Sequence, residues 1–279
     1  MELARRPWRP LVVSVPFVVL GIIFLYPFAL LTVEAFARPD GGYGLGTFAA
    51  ILAGHAFHGA LFATLRIALT ATAACLGLGS ALALLIRFAA FPGARALGRL
   101  VDVYLAFPSF LVALSLTFLY GNSGVVHTLW TSALGGSAAA ASRSFLYGFW
   151  GVVLAEVTYY TPFVMRPVLA ALDVIDRSQL EVASSLGERP WGVLRRVVIP
   201  ELVPALIAGG SLCLLLTMNE FGIILVMGVK DVITLPMMIY GKAIDEFDYP
   251  AASAVAICNV ALSLGLYFTY RQALERVPR

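Results

Sequence analysis

Charged side chains lie inside three of the long apolar segments of this sequence. Arg66, Glu156 and Glu220 each interrupt a different apolar run, and Asn219 directly precedes Glu220. A charge at the centre of a membrane helix costs roughly 2.5–3.5 kcal/mol on insertion scales unless it is paired or solvated. These residues therefore either form polar contacts between packed helices or line the route that a solute or a proton takes across a membrane.

The positions of these charges along their segments give a further hypothesis. Glu156 follows the start of its run, near residue 148, by eight residues, and Glu220 precedes the end of its run, near residue 228, by eight. Arg66 follows the start of its run, near residue 60, by six residues. At about 1.5 Å per helical residue, both carboxylates should lie roughly 12 Å, and Arg66 roughly 9 Å, below the membrane face that is predicted to be outside. We hypothesise a shared polar layer that lines a solute pathway. A purely structural pair between Arg66 and a carboxylate is the alternative.

Other patterns of chemical interest are weak. The sequence has no phosphate-binding loop that ends in Gly-Lys-Ser/Thr, so we expect neither ATP binding nor catalysis on this chain. His55 and His58 are three residues apart without a nearby acid, which favours a solvated pair over a metal site. The three cysteines, Cys75, Cys213 and Cys258, lie in apolar runs and show neither metal-binding spacing nor a disulfide framework. No bound cofactor or metal is expected.

Composition identifies the elements that position these charges. Sixty per cent of the residues are hydrophobic and only 13% are charged, whereas soluble domains average about 25% charged residues. The apolar runs are continuous rather than alternating, which predicts helices and excludes a β-barrel. We predict an all-α integral membrane protein, one domain over residues 1–279, with six transmembrane helices. Their expected positions are about 11–33, 60–86, 101–120, 148–172, 202–228 and 250–270.

Details of this layout are also predicted. The first apolar run is longer than the core of a secretory signal peptide, the alternative reading, so an uncleaved first span is favoured. A surface-lying helix is expected near residues 47–58, and Pro108 should kink the third span. The apolar segment 125–134 is too short to cross a membrane and is expected at the interface.

Basic residues predict the orientation. If the N-terminus is cytoplasmic, fourteen arginines fall on the cytoplasmic side and only four basic residues outside. The inside set is Arg5, Arg6, Arg9, Arg87, Arg95, Arg99, Arg166, Arg177, Arg189, Arg195, Arg196, Arg271, Arg276 and Arg279; the outside set is Arg38, Arg143, Lys230 and Lys242. Both termini, and the segment between the fourth and fifth spans, are therefore predicted to be cytoplasmic.

That segment, residues 173–200, is the longest polar stretch of the chain. It reads DVIDRSQLEVASSLGERPWGVLRRVVIP and carries four arginines and four acids. Two capping boxes fit its start equally well, Ser178 with Glu181 and Asp176 with Gln179. Either one predicts a short helix at this point.

The same stretch contains signals for the end of that helix and for a second one. Gly187 should end the first helix in the left-handed conformation. Pro190 should begin the second helix, and Pro200 should end it. The residues expected on one apolar side of this second helix are Trp191, Leu194, Val197 and Val198.

The spacing within this stretch resembles a known motif. Residues 181–183 (Glu-Val-Ala), then three residues, Gly187, nine residues and 197–200 (Val-x-Ile-Pro) look like the EAA loop of binding-protein-dependent ABC importer permeases. Val182 departs from the second alanine usual in that family. The resemblance implies that the first short helix is a coupling helix that inserts into a groove on the ATPase subunit. The coupling residues that it implies are Glu181, Val182, Ala183, Ser184, Leu186, Gly187 and Pro200.

A longer resemblance suggests a solute. The chain is similar to permeases for 2-aminoethylphosphonate uptake in FPGARALGRLVD (91–102), TPFVMRPVLAAL (161–172), GGSLCLLLTMNEFGI (209–223) and ITLPMMIYGKAI (233–244). Permeases for sulfate, ferric iron and polyamines share the architecture and some of these sequence segments. The resemblance implies a bacterial inner-membrane protein and ATP-driven alternating access. The implied partners are a second permease, identical or paralogous, two ATP-binding subunits that carry ATP and Mg, and a periplasmic solute-binding protein; nucleic acid is not among them.

Two other classes of function stay open on the sequence alone. A proton-driven secondary transporter would use Glu156 and Glu220 as a proton relay, although its usual inverted repeats are not visible in the six segments. A membrane scaffold or sensor subunit would use the same charges only for packing. Uptake into vesicles, driven either by ATP with a binding protein or by a pH gradient alone, distinguishes the three classes.

Overall fold

The computed structural model describes residues 9–38, 41–89, 92–121, 124–134, 145–229 and 232–275. Of the basic residues used to predict the orientation, Arg5, Arg6, Arg143, Lys230, Arg276 and Arg279 lie outside these ranges. Within the ranges the regular structure is helical, with one isolated antiparallel bridge between Ala37 and Tyr43. The predicted all-α fold class is therefore confirmed.

The helices of the described ranges are named here in chain order. They are α1 (Arg9–Ala35), α2 (Gly46–Ala53), α3 (His55–Phe88), α4 (Ala94–Tyr104), α5 (Ser109–Tyr120), α6 (Val125–Leu134), α7 (Phe149–Val174), α8 (Arg177–Ser185), α9 (Pro190–Val193), α10 (Ile199–Met218), α11 (Gly222–Met227), α12 (Leu235–Tyr240) and α13 (Tyr249–Glu275). Turns of π-helix, Leu194–Val198 and Gly241–Asp245, follow α9 and α12.

Length and composition alone show four helices that could cross a membrane in the described ranges. They are Ser14–Ala35, His55–Phe88, Pro190–Met218 and Tyr249–Ala273. Helix α7, which carries Glu156, and the interrupted segment of α4 and α5 are not in that set. The count of six spans therefore stays a prediction, as does the single-domain assignment.

The third predicted span is broken rather than kinked at Pro108. Helix α4 ends at Tyr104, and α5 begins at Ser109 with Pro108 as its N-cap in an extended conformation (φ −63°, ψ 146°). Proline lacks the N–H that would continue α4, and it disfavours helical conformation in the residue before it. The four residues between the helices separate a short amphipathic helix, α4, from an apolar one.

The second predicted span starts earlier than expected. The predicted surface helix at 47–58 ends at Ala53 as α2, and extended Gly54 (ψ 132°) separates it from α3. Helix α3 then runs without interruption from His55 to Phe88, so His55 and His58 lie in its first turn. The His58 Nδ1 lies 3.0 Å from the carbonyl oxygen of Gly54.

Pro200 does not end the second loop helix, contrary to the prediction. The chain is helical from Pro190 through the π-turn and on to Met218. In that turn the N–H of Ile199 bonds to the carbonyl of Leu194, five residues back. The wider turn precedes Pro200, which then lies in the first turn of α10, where a missing N–H is tolerated.

The chain separates into two compact units, of which the second carries the sites described below. It comprises Gly59–Met237 and Ala261–Arg279. Its core lies along α7, where Val164, Met165 and Val168 are buried. Helix α10 approaches α7 at Gly209, where a β-carbon would lie 3.0 Å from the Pro167 ring and 3.1 Å from the Val164 Cα. A larger residue at Gly209 would force these helices apart.

The first unit comprises Met1–His58 and Met238–Val260. The rings of Phe36 and Phe48 lie 5.1 Å apart. The Thr47 hydroxyl donates a 3.1 Å hydrogen bond to the carbonyl of Ala37, which fastens the start of α2 to the preceding turn. In the second segment of this unit, the Asp248 carboxylate accepts a 3.1 Å bond from the Ala251 N–H and so caps α13.

Candidate functional sites

The first candidate site is the polar loop, residues 173–200, and its first helix is α8. Asp176 is the N-cap of this helix, and its carboxylate accepts a 3.0 Å hydrogen bond from the Ser178 N–H. Of the two predicted N-cap residues, Asp176 is therefore the one that caps the helix, whereas Ser178 lies inside it. The bonds from Ser178 hold the pKa of Asp176 below its ordinary value, because they favour the ionised carboxylate.

Helix α8 ends as predicted at Gly187. Gly187 has φ +88°, a left-handed conformation that glycine adopts without strain. Its N–H bonds to the Ser184 carbonyl at 3.0 Å, and the Glu188 N–H bonds to the Ala183 carbonyl at 3.2 Å. This pair of bonds is the Schellman motif, which satisfies carbonyls that the helix end would otherwise leave unbonded.

Ion pairs attach the start of the polar loop to α3 and brace the loop internally. At its start, Asp173 forms an ion pair with Arg87 at the end of α3, with 3.4 Å between the two groups. The Arg87 Nε also donates a 3.3 Å hydrogen bond to the carbonyl of Leu172. After Gly187, Glu188 pairs with Arg196 of the π-turn, which fixes the chain between α8 and α9.

The polar loop exposes apolar side chains. Val182 is 58% exposed, Leu186 81% and Trp191 68%. Trp191 was predicted to share one apolar side of the second loop helix with Leu194 and Val198, and this is wrong. Val198 is buried and Leu194 packs against the core, whereas Trp191 points outward. Around these three residues the loop is polar, with Glu181 and Ser184 exposed and Ala183 half-buried. An apolar patch rimmed by polar residues is typical of a protein interface.

The second candidate site is the Glu220 cluster, which consists of Glu220, Tyr160, Ser109 and the Ile223 N–H. Glu220 is 7% exposed and lies where α10 stops and α11 has not yet begun. Its carboxylate accepts hydrogen bonds from the Tyr160 hydroxyl, from the Ser109 hydroxyl at 3.4 Å and from the Ile223 N–H at 2.8 Å. The side chain therefore caps α11 and connects it to α7 and α5.

The break at Glu220 differs from the continuous fifth span that the sequence predicts. Asn219 closes the end of α10, where its side-chain amide donates to the Leu215 carbonyl at 2.8 Å and lies 3.4 Å from the Ser263 hydroxyl. Two polar side chains thus satisfy backbone groups that a break would otherwise expose within an apolar segment.

Glu156 lies on α7, one helical turn before Tyr160, and has a different environment. It is 0% exposed, and neither of its carboxylate oxygens has a hydrogen-bond partner in the described part of the chain. Glu220 bonds to the Tyr160 hydroxyl, and Glu156 lies close enough to interact electrostatically with both residues. The two carboxylates are therefore near neighbours, and a polar layer that lines a solute pathway stays a prediction.

Arg66 does not belong to this group. Its guanidinium carbon lies 3.8 Å from the ring centroid of Phe149, the first residue of α7, and the side chain is exposed. Phe149 precedes Glu156 by seven residues, or about 10 Å along a helix. Among the residues that the structure describes, Arg66 forms no ion pair, so neither the matching depth nor the alternative Arg66–carboxylate pair is observed.

Tyr160 and Ser109 were not among the site residues predicted from the sequence. Tyr160 stands four residues after Glu156 and therefore on the same side of the helix, a spacing that could have suggested it. Ser109 is 111 residues from Glu220 in the chain, and no local pattern connects the two. In the described ranges no group of three or more His, Cys, Asp or Glu side chains could hold a metal ion.

The fold and these sites place the chain in a known class. The family described as "Binding-protein-dependent transport system inner membrane component" matches residues 73–277. The chain belongs to this family, and it is a multi-pass membrane permease, a transport subunit rather than a catalytic one.

Particular relatives refine this assignment. The chain is 48% identical over 269 residues to a Salmonella choleraesuis protein provisionally named 2-aminoethylphosphonate transport system permease protein PhnU, with 96% of this chain and 93% of that one covered. It is 34% identical over 193 residues to the sulfate transport system permease protein CysT of Escherichia coli, with 68% and 66% covered. A chain of the bacterial alginate ABC transporter, solved with an alginate pentasaccharide-bound periplasmic protein, has the same fold, with a TM-score of 0.79, 21% identity, and 98% and 96% coverage.

Proposed function

We propose that this chain is the permease subunit of an ATP-driven importer of 2-aminoethylphosphonate or a similar small zwitterionic or anionic solute. The higher identity and fuller coverage for PhnU than for CysT favour an aminophosphonate over sulfate. Ferric iron and polyamines, which the sequence left open, have less support because neither is named for the relatives described above.

One structural observation carries the proposal. The helical segment Pro190–Met218, 29 residues, extends from the polar loop to the residue before Asn219 and the Glu220 cluster. At about 1.5 Å per residue this is a rod of roughly 43 Å. A displacement at Pro190 is therefore transmitted along one helical segment to the break in the fifth span, and the Glu188–Arg196 ion pair connects the turn after α8 to that segment.

The two ends of this rod have different proposed functions. The exposed apolar patch of Val182, Leu186 and Trp191 docks into a groove on an ATP-binding subunit, together with Glu181, Ala183 and Ser184 of α8. Closure of the ATPase pair on ATP and Mg pulls α8, and the pull moves α10 and α11 relative to α7. Gly187 sets the angle between α8 and the rod, and Pro200 lies in the first turn of α10.

The buried carboxylates contribute the polar part of the pathway. Glu220, with three donors, holds the break, whereas Glu156 has no hydrogen-bond partner among the described residues and is available to an incoming ammonium group. 2-Aminoethylphosphonate carries an ammonium at one end and an anionic phosphonate at the other, so a carboxylate complements its cationic end. Asn219 stands at the same break and adds amide hydrogen-bonding capacity. Arg66 is proposed to act nearer the outer face, where it can meet the phosphonate.

The proposed assembly follows from the family. It contains two ATP-binding subunits, a second permease subunit and a periplasmic solute-binding protein, in a bacterial inner membrane with both termini of this chain cytoplasmic. The predicted excess of arginines on the side of the polar loop supports this orientation.

Transport into proteoliposomes tests the proposal. Uptake of labelled 2-aminoethylphosphonate should require ATP, the ATP-binding subunit and the solute-binding protein, and excess sulfate or spermidine should not compete. Competition by sulfate would reassign the solute within the same class of importer. Uptake driven by a pH gradient without ATP would instead support a proton-driven transporter with Glu156 and Glu220 as its relay.

A labelling experiment tests the orientation. A cysteine introduced by Ser184→Cys should crosslink to the ATP-binding subunit and react with cytoplasmic reagents. A cysteine introduced by Tyr43→Cys, at an exposed position predicted outside, is the matched control and should react from the periplasm. Periplasmic labelling at Ser184→Cys would overturn the topology.

A further inference from the structure

Two cavities lie along the same pair of helices, α3 and α7, close to the polar loop. The first, the basic pocket, has a volume of about 970 Å³ and contains three arginines and two acids. These charged residues are Arg87, Arg99, Arg177, Asp173 and Glu181. They come from the end of α3, from α4, from the end of α7 and from α8, so the pocket joins the polar loop to the transmembrane helices.

The positive charge of the basic pocket is only partly balanced. Arg87 is paired with Asp173 and bonded to the Leu172 carbonyl. Arg99 and Arg177 are exposed and form no ion pair or hydrogen bond with the described residues. Two guanidinium groups therefore face the pocket with only Glu181 against them, an arrangement suited to a phosphate-type anion.

The second cavity, the apolar groove, has a volume of about 520 Å³ and is lined almost entirely by apolar side chains. Its lining includes Leu78 and Leu82 of α3, Leu100 and Val103 of α4, and Met165 of α7. The two α4 residues are exposed, so a molecule outside the helices can enter the groove from the side.

The basic pocket and the apolar groove are successive parts of one furrow. On α3 the groove residue Leu82 is followed four residues later by the pocket residue Ile86. On α7 the groove residue Met165 is followed four residues later by the pocket residue Leu169. One helical turn, about 6 Å, thus separates the two parts on both helices. Helix α4 lines both parts, with Arg99 in the pocket and Leu100 in the groove.

We propose that this furrow binds an anionic phospholipid, with the phosphodiester between Arg99 and Arg177 and an acyl chain along the apolar groove. A free phosphate or phosphonate would satisfy the arginines and leave the groove uncovered, whereas an anionic lipid matches both parts. Helix α4, short and amphipathic, has the character of a helix that lies in a membrane interface beside such headgroups. This lipid site goes beyond the transport function, and its position in the cytoplasmic leaflet follows from the proposed orientation.

The bound headgroup has a mechanical consequence. Arg99 belongs to α4 and Arg177 to the first turn of α8, so a phosphodiester between them fastens the polar loop to the membrane-lying helix. Anionic lipid should therefore stabilise the chain and restrict α8.

Thermal unfolding of the full-length chain in neutral detergent tests the proposal. Phosphatidylglycerol should raise the unfolding midpoint, and phosphatidylcholine with the same acyl chains should not. Arg99→Gln and Arg177→Gln should each weaken the apparent affinity for phosphatidylglycerol roughly tenfold, the effect of one lost charge-assisted contact. Arg271→Gln, an exposed arginine outside the furrow, is the matched control and should respond like the wild type.

A second variant keeps the test decisive if an arginine variant does not fold. Leu78→Trp fills the apolar groove and leaves every arginine in place, so it should lower the response to phosphatidylglycerol. Equal responses to both lipids, or a full response in the Arg99→Gln/Arg177→Gln double variant, would overturn the proposal. A shift with inorganic phosphate or methylphosphonate that the double variant loses would identify a free-anion site instead. A disulfide-linked dimer of Val103→Cys would show that a second copy of the chain covers the groove.

Discussion

The polar loop and the Glu220 cluster are both polar structures attached to apolar helices, yet they are built in opposite ways. Within the polar loop, the hydrogen bonds that shape α8 join residues close in the chain, such as Asp176 to Ser178 and Gly187 to Ser184, although the start of the loop is also paired with the distant Arg87. In the Glu220 cluster, Tyr160 and Ser109 come from positions 60 and 111 residues away. The surface of α8 is thus shaped by local bonds, whereas the cluster exists only while α5, α7 and α11 remain packed.

This contrast matters for transport. A docking surface must keep its shape while the rest of the molecule moves, and short-range hydrogen bonds provide that stability. In the proposed cycle α10 and α11 move relative to α7, and the long-range contacts of the Glu220 cluster are sensitive to such movement. Substitutions in either structure test this contrast.

Gly187→Val should abolish most of the transport activity. A β-branched residue in the left-handed conformation costs about 1–2 kcal/mol or more, so the chain should leave that conformation and α8 should lose its angle to α9. Uptake and binding-protein-stimulated ATP hydrolysis should fall together, by roughly tenfold or more, while membrane insertion persists. Ser185→Val, at the last position of α8, is the matched control because that residue is already helical. If Gly187→Val keeps both activities, the polar loop is not the coupling element.

Glu220→Ala should reduce stability more than any change on the polar loop. It leaves the Tyr160 hydroxyl and the Ile223 N–H without their acceptor, and each unsatisfied buried group costs about 1–3 kcal/mol. Thermal unfolding of the purified chain should show a lower midpoint. Glu201→Ala, an exposed acid in the first turn of α10, should leave the midpoint nearly unchanged. An unchanged midpoint for Glu220→Ala would mean that the cluster does not hold the break.

Leu186→Ser should weaken binding of the ATP-binding subunit without affecting the fold. Burying a leucine contributes about 1.5–3 kcal/mol, which corresponds to roughly tenfold or more in affinity. Because Leu186 is 81% exposed in the chain itself, the unfolding midpoint should not change. Co-purification and stimulated ATP hydrolysis measure the effect. Val174→Ser, which is similarly exposed but lies at the end of α7, should bind the subunit normally.

Glu156→Gln should lower uptake while sparing the folded complex. No protein group depends on this carboxylate for a hydrogen bond in the described ranges, so a neutral, near-isosteric side chain should not destabilise the fold. Removing the negative charge should weaken contact with the ammonium of the solute, and uptake should fall several-fold, about tenfold at most. Glu220→Gln tests the other carboxylate in the same way. Loss of folded complex with normal turnover per surviving complex would assign a structural role.

The smallest effect is expected at the start of α8. The pKa of Asp176 is lowered in the folded chain, so its capping contribution is complete at neutral pH and is lost as the pH falls through that lowered value. Hydrogen exchange of residues 177–187, expressed relative to the intrinsic exchange rate at each pH, should therefore increase under acid conditions. Asp176→Asn keeps a capping oxygen that does not titrate, and its exchange should depend less on pH. Equal pH dependence in both proteins would show that another group controls the loop.

Much of this protein could be predicted from the sequence. The helical membrane class follows from continuous apolar runs, and the left-handed stop at Gly187 and the start at Pro190 follow from backbone geometry that single residues dictate. The assignment to a permease family followed from the spacing between Glu181 and Pro200. Each of these features depends on residues near one another in the chain, and local chemistry is sufficient to specify it.

The remaining features depend on contacts between residues that are distant in the chain. The break at Glu220 is stable because Tyr160 and Ser109 donate to its carboxylate from distant helices, and no local pattern reveals those donors. Pro200 continues a helix because the preceding π-turn accommodates it, and Arg66 lies on Phe149 rather than beside a carboxylate. Counting residues along each segment could not predict the position of Arg66, because the contacts between charged side chains depend on how the helices rotate and pack. Helix packing also determines that, within the described ranges, the Glu220 carboxylate accepts three hydrogen bonds and the Glu156 carboxylate none.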